Sequence, residues 1–416
     1  MELLKQVRFI DPTQGIDRVS DILIVEDRLE SIAPIIKEYP AETKIIDREG
    51  LIVGTGLIDL YSLIQEPGNE SRESLQDLMQ AAMAGGFTRV TILPDTDPRI
   101  DTVEMVTAIA RRASSQSQNS LPRLDFWGAA TKDGKLNELA ELKSEIVGYS
   151  DRFKFGNLDL LRQLLEYVRP WQVPVAIALE QNELTGNGVI REGEASIRYG
   201  MSGNPRFSES AIIAAVLEII AEIPTPVHIM RVSTQRGVEL IADAKSRNIP
   251  VTASTTWMHL LWNSDAVASY SSNLRLEPPL GNERDRTALI SGIQQGIIDT
   301  IAIDHQAYTY EEKTVPFGLA PPGVVGLEIA LPILWQELVE TKELGGIELW
   351  QALSTNPCLC LNQKTSEIST DKNTNLIVFD SQKTWTADRA SLKSPATNTP
   401  YYNQEIKGKV IRIIGC

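Results

Sequence analysis

From Gly54 onward, short apolar runs alternate with amphipathic helical patterns, and this alternation constrains the fold more than any other feature of the chain. The apolar runs include LIDLYSL, RVTILP, LDFWGAA, VPVAIAL, VHIMRV and DTIAID. Nearly continuous apolar runs are typical of parallel strands buried on both faces. About eight such βα units over roughly 300 residues predict an α/β protein built on a TIM-type (β/α)8 barrel. A doubly wound sheet is the alternative, but no Gly-rich phosphate-binding loop supports it.

The two ends of the chain have a different, β-rich pattern. Residues 1–53 contain short β-type runs separated by turn residues, and residues 356–416 return to β character with NLIVFD, TWTAD and GKVIRIIG. The simplest arrangement is a small β-sandwich domain made from both ends, with the barrel of residues 54–355 inserted between them. Two unrelated terminal extensions are the alternative.

Charge and composition exclude several classes of protein. The net charge of −15 argues against a nucleic-acid-binding surface. No apolar run reaches about 18 residues, so we expect no membrane span. The first residues, MELLKQVRFIDP, lack the apolar region of a signal peptide, which makes the cytoplasm the expected location. Cys358, Cys360 and Cys416 are an odd number of cysteines, so we expect reduced thiols that pack rather than bind metal.

The chain has only three histidines, and we expect all of them to be structural. His228 begins the VHIM strand, and His259 lies in the run TWMHLL. His305 directly follows Asp304, and neighbours on a strand point to opposite faces, so both side chains cannot enter the barrel. In a TIM barrel the reactive groups lie where strands end and βα loops begin. Histidine chemistry is therefore not predicted at those positions.

Several longer segments resemble the dihydroorotases of the amidohydrolase superfamily, and the resemblance covers nearly the whole chain. They are GLIDLYSLIQEPGNESRESLQDLMQAAMAGGFTRVTILPDTDP, HIMRVST, LRLEPPLGNERDR, DTIAIDHQAYTYEEK, FGLAPPGVVGLEIALP and SPATNTPYYNQEIKGKV. The resemblance implies a barrel that hydrolyses a cyclic amide in pyrimidine biosynthesis with histidine-bound zinc. Hydantoinases and allantoinases share this scaffold, but the APPGVVGLE and NTP segments favour dihydroorotases.

The resemblance also indicates which residues occupy the family's metal positions. The two histidines of the family's His-x-His motif fall on Tyr61 and Leu63. The ligand histidines after the fifth and sixth strands fall on Ala178 and Arg231. Tyr, Leu and Ala are not replacements that would hold a transition metal, and Arg is a permanent cation. We therefore expect no metal ligands and no zinc.

The positions that bind substrate in the family are replaced as well. The arginine that binds the substrate carboxylate falls on Gln65, and the substrate-binding asparagine falls on Asp95. A second asparagine falls on Glu277, and the substrate histidine after the last strand falls on Tyr308. The resemblance thus implies a vestigial pocket, because an enzyme that had only changed its metal would keep these groups.

A few of the family's residues are retained. Asp304 stands at the place of the metal-bound acid/base aspartate, and Asp59 precedes the first motif. Asp151 matches the bridging aspartate, with an ambiguity of one residue in the alignment of GYSDRF. Pro322 and Gly323 match a loop that closes on substrate.

Loss of zinc would raise the activation barrier of the inherited reaction. Zinc lowers the pKa of bound water from about 15.7 to about 7, which corresponds to about 12 kcal/mol of activation free energy. Asp304 acting alone as a general base would supply about 10²–10⁴-fold, or about 3–5 kcal/mol. We expect Arg231 to enter the space of the missing zinc and to pair with Asp304, and with Asp151 or Glu277 in addition. The alternative is that Arg231 ends a strand at the surface.

Three functions are compatible with these residues. The first is an inactive dihydroorotase homologue that acts as a structural or regulatory partner of aspartate carbamoyltransferase, as the resemblance to inactive members of the family implies; such a protein is expected to be an oligomer. The second is an active cyclic-amide hydrolase with a metal-free site, in which Asp304 acts with Arg231, Tyr61 or Tyr308. The third is an ordinary dihydroorotase with unconventional metal ligands.

Overall fold

The computed structural model describes residues 1–116, 122–153, 157–179, 182–365, 368 and 375–415. Its first strands belong to the N-terminal β-rich segment: β1 (Glu2–Asp11), β2 (Ile16–Val25), β3 (Arg28–Ala33), β4 (Lys44–Asp47) and β5 (Leu51–Thr55). The following strands belong to the barrel and its loops: β6 (Leu57–Ser62), β7 (Phe87–Ile92), β8 (Arg123–Ala129), β9 (Thr131–Lys132), β10 (Lys135–Leu136), β11 (Gly148–Phe153), β12 (Val175–Leu179), β13 (Ile190–Arg191), β14 (Gly203–Asn204), β15 (Val227–Ile229), β16 (Val251–Thr256) and β17 (Thr300–Ala302). The last two strands are β18 (Leu376–Thr386) and β19 (Glu405–Ile414).

Most of the helices lie between barrel strands, as a βα alternation requires. They are α1 (Leu75–Ala84), α2 (Val103–Gln116), α3 (Leu139–Leu142), α4 (Leu158–Val168), α5 (Asn182–Thr185), α6 (Glu194–Arg198), α7 (Phe207–Glu222), α8 (Gln235–Ser246), α9 (Trp257–Leu261), α10 (Glu283–Gln294), α11 (Tyr310–Lys313), α12 (Ala330–Leu334), α13 (Gly346–Trp350) and α14 (Asn356–Cys360). Local sequence sets where several of them begin. Ser74 caps α1 and Asn282 caps α10, each in a capping box with an aspartate three residues later.

Within the described ranges, eight strands form the barrel sheet in the order β17-β16-β15-β12-β11-β8-β7-β6, and all adjacent pairs are parallel. The first and last of these strands meet at a seam. There the backbone amide of Asp304 donates to the carbonyl of Tyr61 at 3.2 Å, and that of Leu63 donates to the carbonyl of His305 at 3.0 Å. The predicted TIM-type barrel is therefore confirmed, and the doubly wound alternative is excluded.

Asp59 has a structural position at this seam. Its carboxylate accepts hydrogen bonds from the backbone amide of Ile303 at 2.8 Å and from the hydroxyl of Ser62 at 2.5 Å. Burial raises the pKa of Asp59 to about 7. This retained aspartate therefore joins the first and last barrel strands and does not line the cavity described below.

Both ends of the chain contribute to one sheet, which has seven strands in the part of the chain that the structure describes. Strand β18 pairs antiparallel with β5 and with β19, and β1 connects them to β2 and β3. Strand β5 ends at Thr55, and α14, which begins at Asn356, packs against β6. The division at residues 53/54 and 355/356 stays a prediction. Trp350 packs on Gly54 so closely that a Cβ at Gly54 would lie 2.5 Å from the indole, which ties the sheet to the barrel.

No helix within the described ranges combines the length and the apolar character that a membrane crossing requires. Cys358 and Cys360 are free thiols buried in the interior, as expected for cysteines that pack there. Cys416 lies outside the described residues.

Candidate functional site

A polar cavity of about 430 Å³ opens at the carboxyl ends of the barrel strands. All twelve residues predicted for the site lie in the described ranges, and ten of them line this cavity: Leu63, Gln65, Asp95, Ala178, Arg231, Glu277, Asp304, Tyr308, Pro322 and Gly323. Tyr61 and Asp151 are the two exceptions. The sequence therefore located the pocket, since parallel strands of a barrel bring their carboxyl ends to one face.

An ion pair between Arg231 and Asp304 lies on the floor of this cavity. Nε of Arg231 donates to Oδ2 of Asp304 at 2.7 Å, and Nη2 donates to Oδ1 at 2.6 Å. The two side chains are 9% and 12% exposed. Burial opposes the charge on Arg231, but the Asp304 carboxylate outweighs burial and raises the pKa of the guanidinium. The predicted pair is therefore present, and the alternative of a surface arginine is wrong.

Tyr61 supports this pair from inside the barrel. Its ring centroid lies 5.5 Å from the Arg231 guanidinium, and its hydroxyl accepts the backbone amide of Arg231 at 3.2 Å. The same hydroxyl hydrogen-bonds to Ser254 at 2.9 Å, and Ser254 hydrogen-bonds to His228 at 2.9 Å. Burial lowers the pKa of His228 to about 3, so this histidine is a neutral member of the barrel core. The Tyr61 phenol, at the position that the resemblance assigns to the first zinc ligand, thus belongs to a buried hydrogen-bond network with Ser254 and His228.

Asp151 and Glu277 pair with other arginines, which differs from the predicted contact with Arg231. Asp151 accepts Nη2 of Arg99 at 3.0 Å and the backbone amide of Thr131 at 2.9 Å. Glu277 lies 3.4 Å from Nη2 of Arg275. Each carboxylate has a guanidinium of its own, so neither needs Arg231 as a counter-ion.

Arg72, which the sequence did not single out, connects two of the predicted substrate positions. Its Nη1 donates to Oε1 of Gln65 at 3.1 Å, and its guanidinium lies 4.9 Å from the centroid of the Tyr308 ring. Nε of Arg72 also donates to both carboxylate oxygens of Glu312 at 3.0 Å. The arginine lies in the segment that carries the family resemblance, but nothing in its spacing indicated that it returns to the cavity.

Two further arginines line the cavity and were also missed. Arg152 lies 3.6 Å from Asp95 at the mouth. Arg191 is buried and donates to Ser233 at 2.7 Å and to Asn204 at 3.2 Å. Arginine side chains usually lie at the surface, so nothing in the sequence indicated that these two line a cavity. Together with Arg72 and Arg231, they give the cavity several guanidinium groups that are paired with carboxylates or carbonyl groups.

The remaining histidines are held by hydrogen bonds. His259 lines the cavity, but Nδ1 bonds to Thr256 at 2.7 Å and Nε2 bonds to the carbonyl of Pro278 at 3.1 Å. Burial lowers the pKa of His259 to about 4. His305 follows the end of β17, and its Nε2 lies 3.1 Å from Glu73. Burial opposes the charge on His305, but Glu73 raises its pKa.

The donors around Asp304 do not fit a zinc ion. Zinc in proteins takes imidazole nitrogen, thiolate sulfur and carboxylate oxygen as ligands. The family's ligand positions here supply one phenol, two aliphatic side chains and the guanidinium that covers Asp304. Over the described ranges, His, Cys, Asp and Glu form no group of three that could hold a metal.

Solved structures with the same fold include amidohydrolases. The L-hydantoinase from Arthrobacter aurescens superposes with a TM-score of 0.82 over 99% of this chain and 94% of its own, at 18% identity. The D-hydantoinase from Thermus sp. gives 0.79 over 99% and 93%, at 19% identity. The fold is therefore the barrel with an attached sheet domain that is found in hydantoinases.

Sequence relatives narrow this class to one family. A protein of Synechocystis sp. named "Probable dihydroorotase-like protein" is 41% identical over 98% of both chains. The "Dihydroorotase" of Pelobacter propionicus is 33% identical over 99% of this chain and 97% of its own. The search of family models gave no match. On the strength of these relatives, the chain belongs to the dihydroorotase family.

Proposed function

We propose that this chain is a non-catalytic member of the dihydroorotase family, which acts in the cytoplasm as a structural or regulatory partner of aspartate carbamoyltransferase in pyrimidine biosynthesis. The observation that carries the proposal is the bidentate pair between Arg231 and Asp304, at 2.7 and 2.6 Å. Asp304 is the one retained acid/base candidate among the described residues of the cavity floor. Both of its oxygens already accept hydrogen bonds from a permanent cation, so a water molecule would have to compete with Arg231 for them.

The chemistry of the other floor residues supports the same proposal. Ala178 and Leu63 have no atoms that could bind a metal or move a proton. Tyr61 is buried, and burial together with the negative charge of Asp304 raises its pKa, so the phenol stays protonated. Without a metal, none of these described floor residues could generate hydroxide near neutral pH.

Metal content and turnover, measured on one sample of purified protein, test the absence of catalysis. We expect substoichiometric zinc by elemental analysis and no hydrolysis of dihydroorotate above the uncatalysed rate. The dihydroorotase of Pelobacter propionicus, assayed in parallel, serves as the positive control. Stoichiometric zinc together with turnover that Asp304→Asn abolishes would contradict the proposal.

The proposed partnership has a separate test. The chain is mixed with the aspartate carbamoyltransferase of the same organism and passed over a size-exclusion column. A new peak that contains both proteins in a fixed ratio is expected. Elution as two unchanged peaks, at micromolar concentrations of both proteins, would count against the partnership without bearing on catalysis.

An active hydrolase with a metal-free site is a second candidate, and the open cavity of about 430 Å³ favours it. Cavities of this size commonly bind small ligands. Under this hypothesis, Arg231 would stabilise a developing oxyanion, and Asp304 would hold the arginine in place. Incubation with a panel of cyclic amides and imides tests the idea, with Asp304→Asn as the control that should lose any activity found.

A further inference from the structure

The segment of residues 320–325, here called the mouth loop, contributes Pro322, Gly323 and Val324 to the lining of the cavity. The hydroxyl of Tyr308 donates to the carbonyl of Pro322 at 3.1 Å, and Nζ of Lys313 donates to the carbonyl of Pro321 at 2.8 Å. The backbone amide of Gly323 donates to the carbonyl of Arg275 at 2.9 Å. Three successive residues of the loop are therefore held by groups from outside it.

Asn398 holds the same loop from the other side. Its Nδ2 donates to the carbonyl of Gln306 at 2.8 Å and to that of Gly323 at 3.3 Å. Its Oδ1 accepts a hydrogen bond from the backbone amide of Tyr308 at 3.0 Å. Its backbone carbonyl accepts one from the backbone amide of Val325 at 3.1 Å. Asn398 is 2% exposed, so water cannot readily replace these bonds. One buried amide thus connects the mouth loop to the residues on which Tyr308 stands.

Asn398 belongs to the segment of residues 387–404, which links β18 to β19 of the terminal sheet. This connecting segment is itself fixed to the barrel. The carboxylate of Glu328 accepts the backbone amides of Lys393 at 2.8 Å and Ser394 at 2.9 Å, and the hydroxyl of Ser394 donates to Glu73 at 2.5 Å. The position of Asn398 is therefore set by buried carboxylates of the barrel.

From these contacts we infer that Tyr308, Lys313 and Asn398 lock the mouth loop in one conformation, and that the connecting segment of the terminal sheet is part of this lock. To open, the loop must break the bonds to Pro321, Pro322 and Gly323 together and leave buried donors without acceptors. Unpaired buried donors are costly, so the open state is rarely populated. The mouth then keeps one shape whether or not a ligand is present, and it depends on a segment that belongs to the other domain. The inference does not rest on the proposed function.

Hydrogen–deuterium exchange of the full chain tests the lock. The amides of residues 323–326 are expected to exchange slowly in the wild type. In Asn398→Ala they should exchange about tenfold faster, the factor for the loss of a hydrogen bond of typical strength from the closed state. Tyr308→Phe, which removes one hydroxyl, should accelerate the same amides and leave other barrel peptides unchanged. Lys393→Ala, an exposed side chain on the same connecting segment, is the matched control and should have no effect.

Two results would overturn the inference. One is rapid exchange of residues 323–326 in the wild type, at the rate of an unprotected peptide. The other is unchanged exchange in Tyr308→Phe and Asn398→Ala. If Asn398→Ala fails to fold, Tyr308→Phe decides alone, because it removes a single atom whose bond goes to Pro322.

Discussion

Arg231 and Asp304 are held by the same residue, because the backbone amides of both donate to Tyr61. The amide of Arg231 donates to the Tyr61 hydroxyl at 3.2 Å, and the amide of Asp304 donates to the Tyr61 carbonyl at 3.2 Å. Both residues also have left-handed backbone conformations, with φ of +57° and +50°. Such conformations cost about 1–3 kcal/mol and persist where the surroundings impose them. The ion pair is therefore built into the barrel, and Tyr61 is the residue that aligns it.

Removal of one partner from this pair should destabilise the fold more than removal of both. Arg231→Met leaves a buried carboxylate without a counter-ion, and we expect a loss of about 3–5 kcal/mol in the free energy of unfolding. Arg231→Met combined with Asp304→Asn leaves two neutral groups and should lose less, since Asn tolerates a positive φ. Urea unfolding measures both variants. Equal losses in the single and double variants would show that the unpaired carboxylate is not the cause of the loss.

Tyr61→Phe should weaken the barrel through its hydroxyl alone. The hydroxyl bonds Ser254 and the Arg231 amide in a buried site, so its loss should cost about 1–3 kcal/mol. The measurement is the midpoint of thermal unfolding by circular dichroism. Tyr167→Phe, at a half-exposed tyrosine, is the control. A midpoint shift no larger than that of the control would show that the Tyr61 hydroxyl is dispensable.

Stability should depend on pH through Lys313. Burial and the neighbouring Arg275 lower the pKa of Lys313 to about 7 in the folded state, whereas in the unfolded chain this lysine has its ordinary pKa of 10.5. Between these values the unfolded chain binds more protons, so the free energy of unfolding should rise as pH increases from about 7 towards 10. Lys313→Met should flatten this rise. Urea midpoints at several pH values provide the measurement, and identical slopes in wild type and variant would contradict it.

Reintroduced imidazoles should create zinc binding only if the arginine is removed. We expect the variant Tyr61→His, Leu63→His, Ala178→His, Arg231→His to bind zinc in a calorimetric titration, because imidazole is a common zinc ligand. The triple variant Tyr61→His, Leu63→His, Ala178→His, which keeps Arg231, is the matched control. It should not bind zinc, since the guanidinium occupies both oxygens of Asp304. Equal affinity in both variants would show that Arg231 does not block the site.

The sequence predicted the barrel and the position of its cavity, because continuous apolar runs and strand ends are local features. It also predicted the pair of Arg231 and Asp304, since a buried carboxylate needs a counter-ion. It could not predict that Asp151 pairs with Arg99, or that Arg72 returns to Gln65. Those contacts depend on how loops fold back over the barrel mouth, and loop geometry is not periodic in sequence.

The role of Tyr61 was also beyond the sequence. A tyrosine at a strand end can face the cavity or the barrel core, and the two orientations differ by one position in the alternation along β6. The structure places it in the core, with Ser254 and His228 as hydrogen-bonded neighbours. The hydrogen-bonded partner that fixes this orientation lies on a strand elsewhere in the barrel, because Ser254 belongs to β16 and is 193 residues away from Tyr61 in the chain.

The pairing of β5 with β18 has a consequence for the synthesis of the chain on the ribosome. Thr55 faces Leu376 in this pairing, so the edge of β5 has no partner until nearly the whole polypeptide has emerged. An unpaired strand edge can bind the edge of another nascent chain. The outer edge of β5, whose neighbour β18 is translated late, is therefore the edge of the terminal sheet that stays open longest during synthesis.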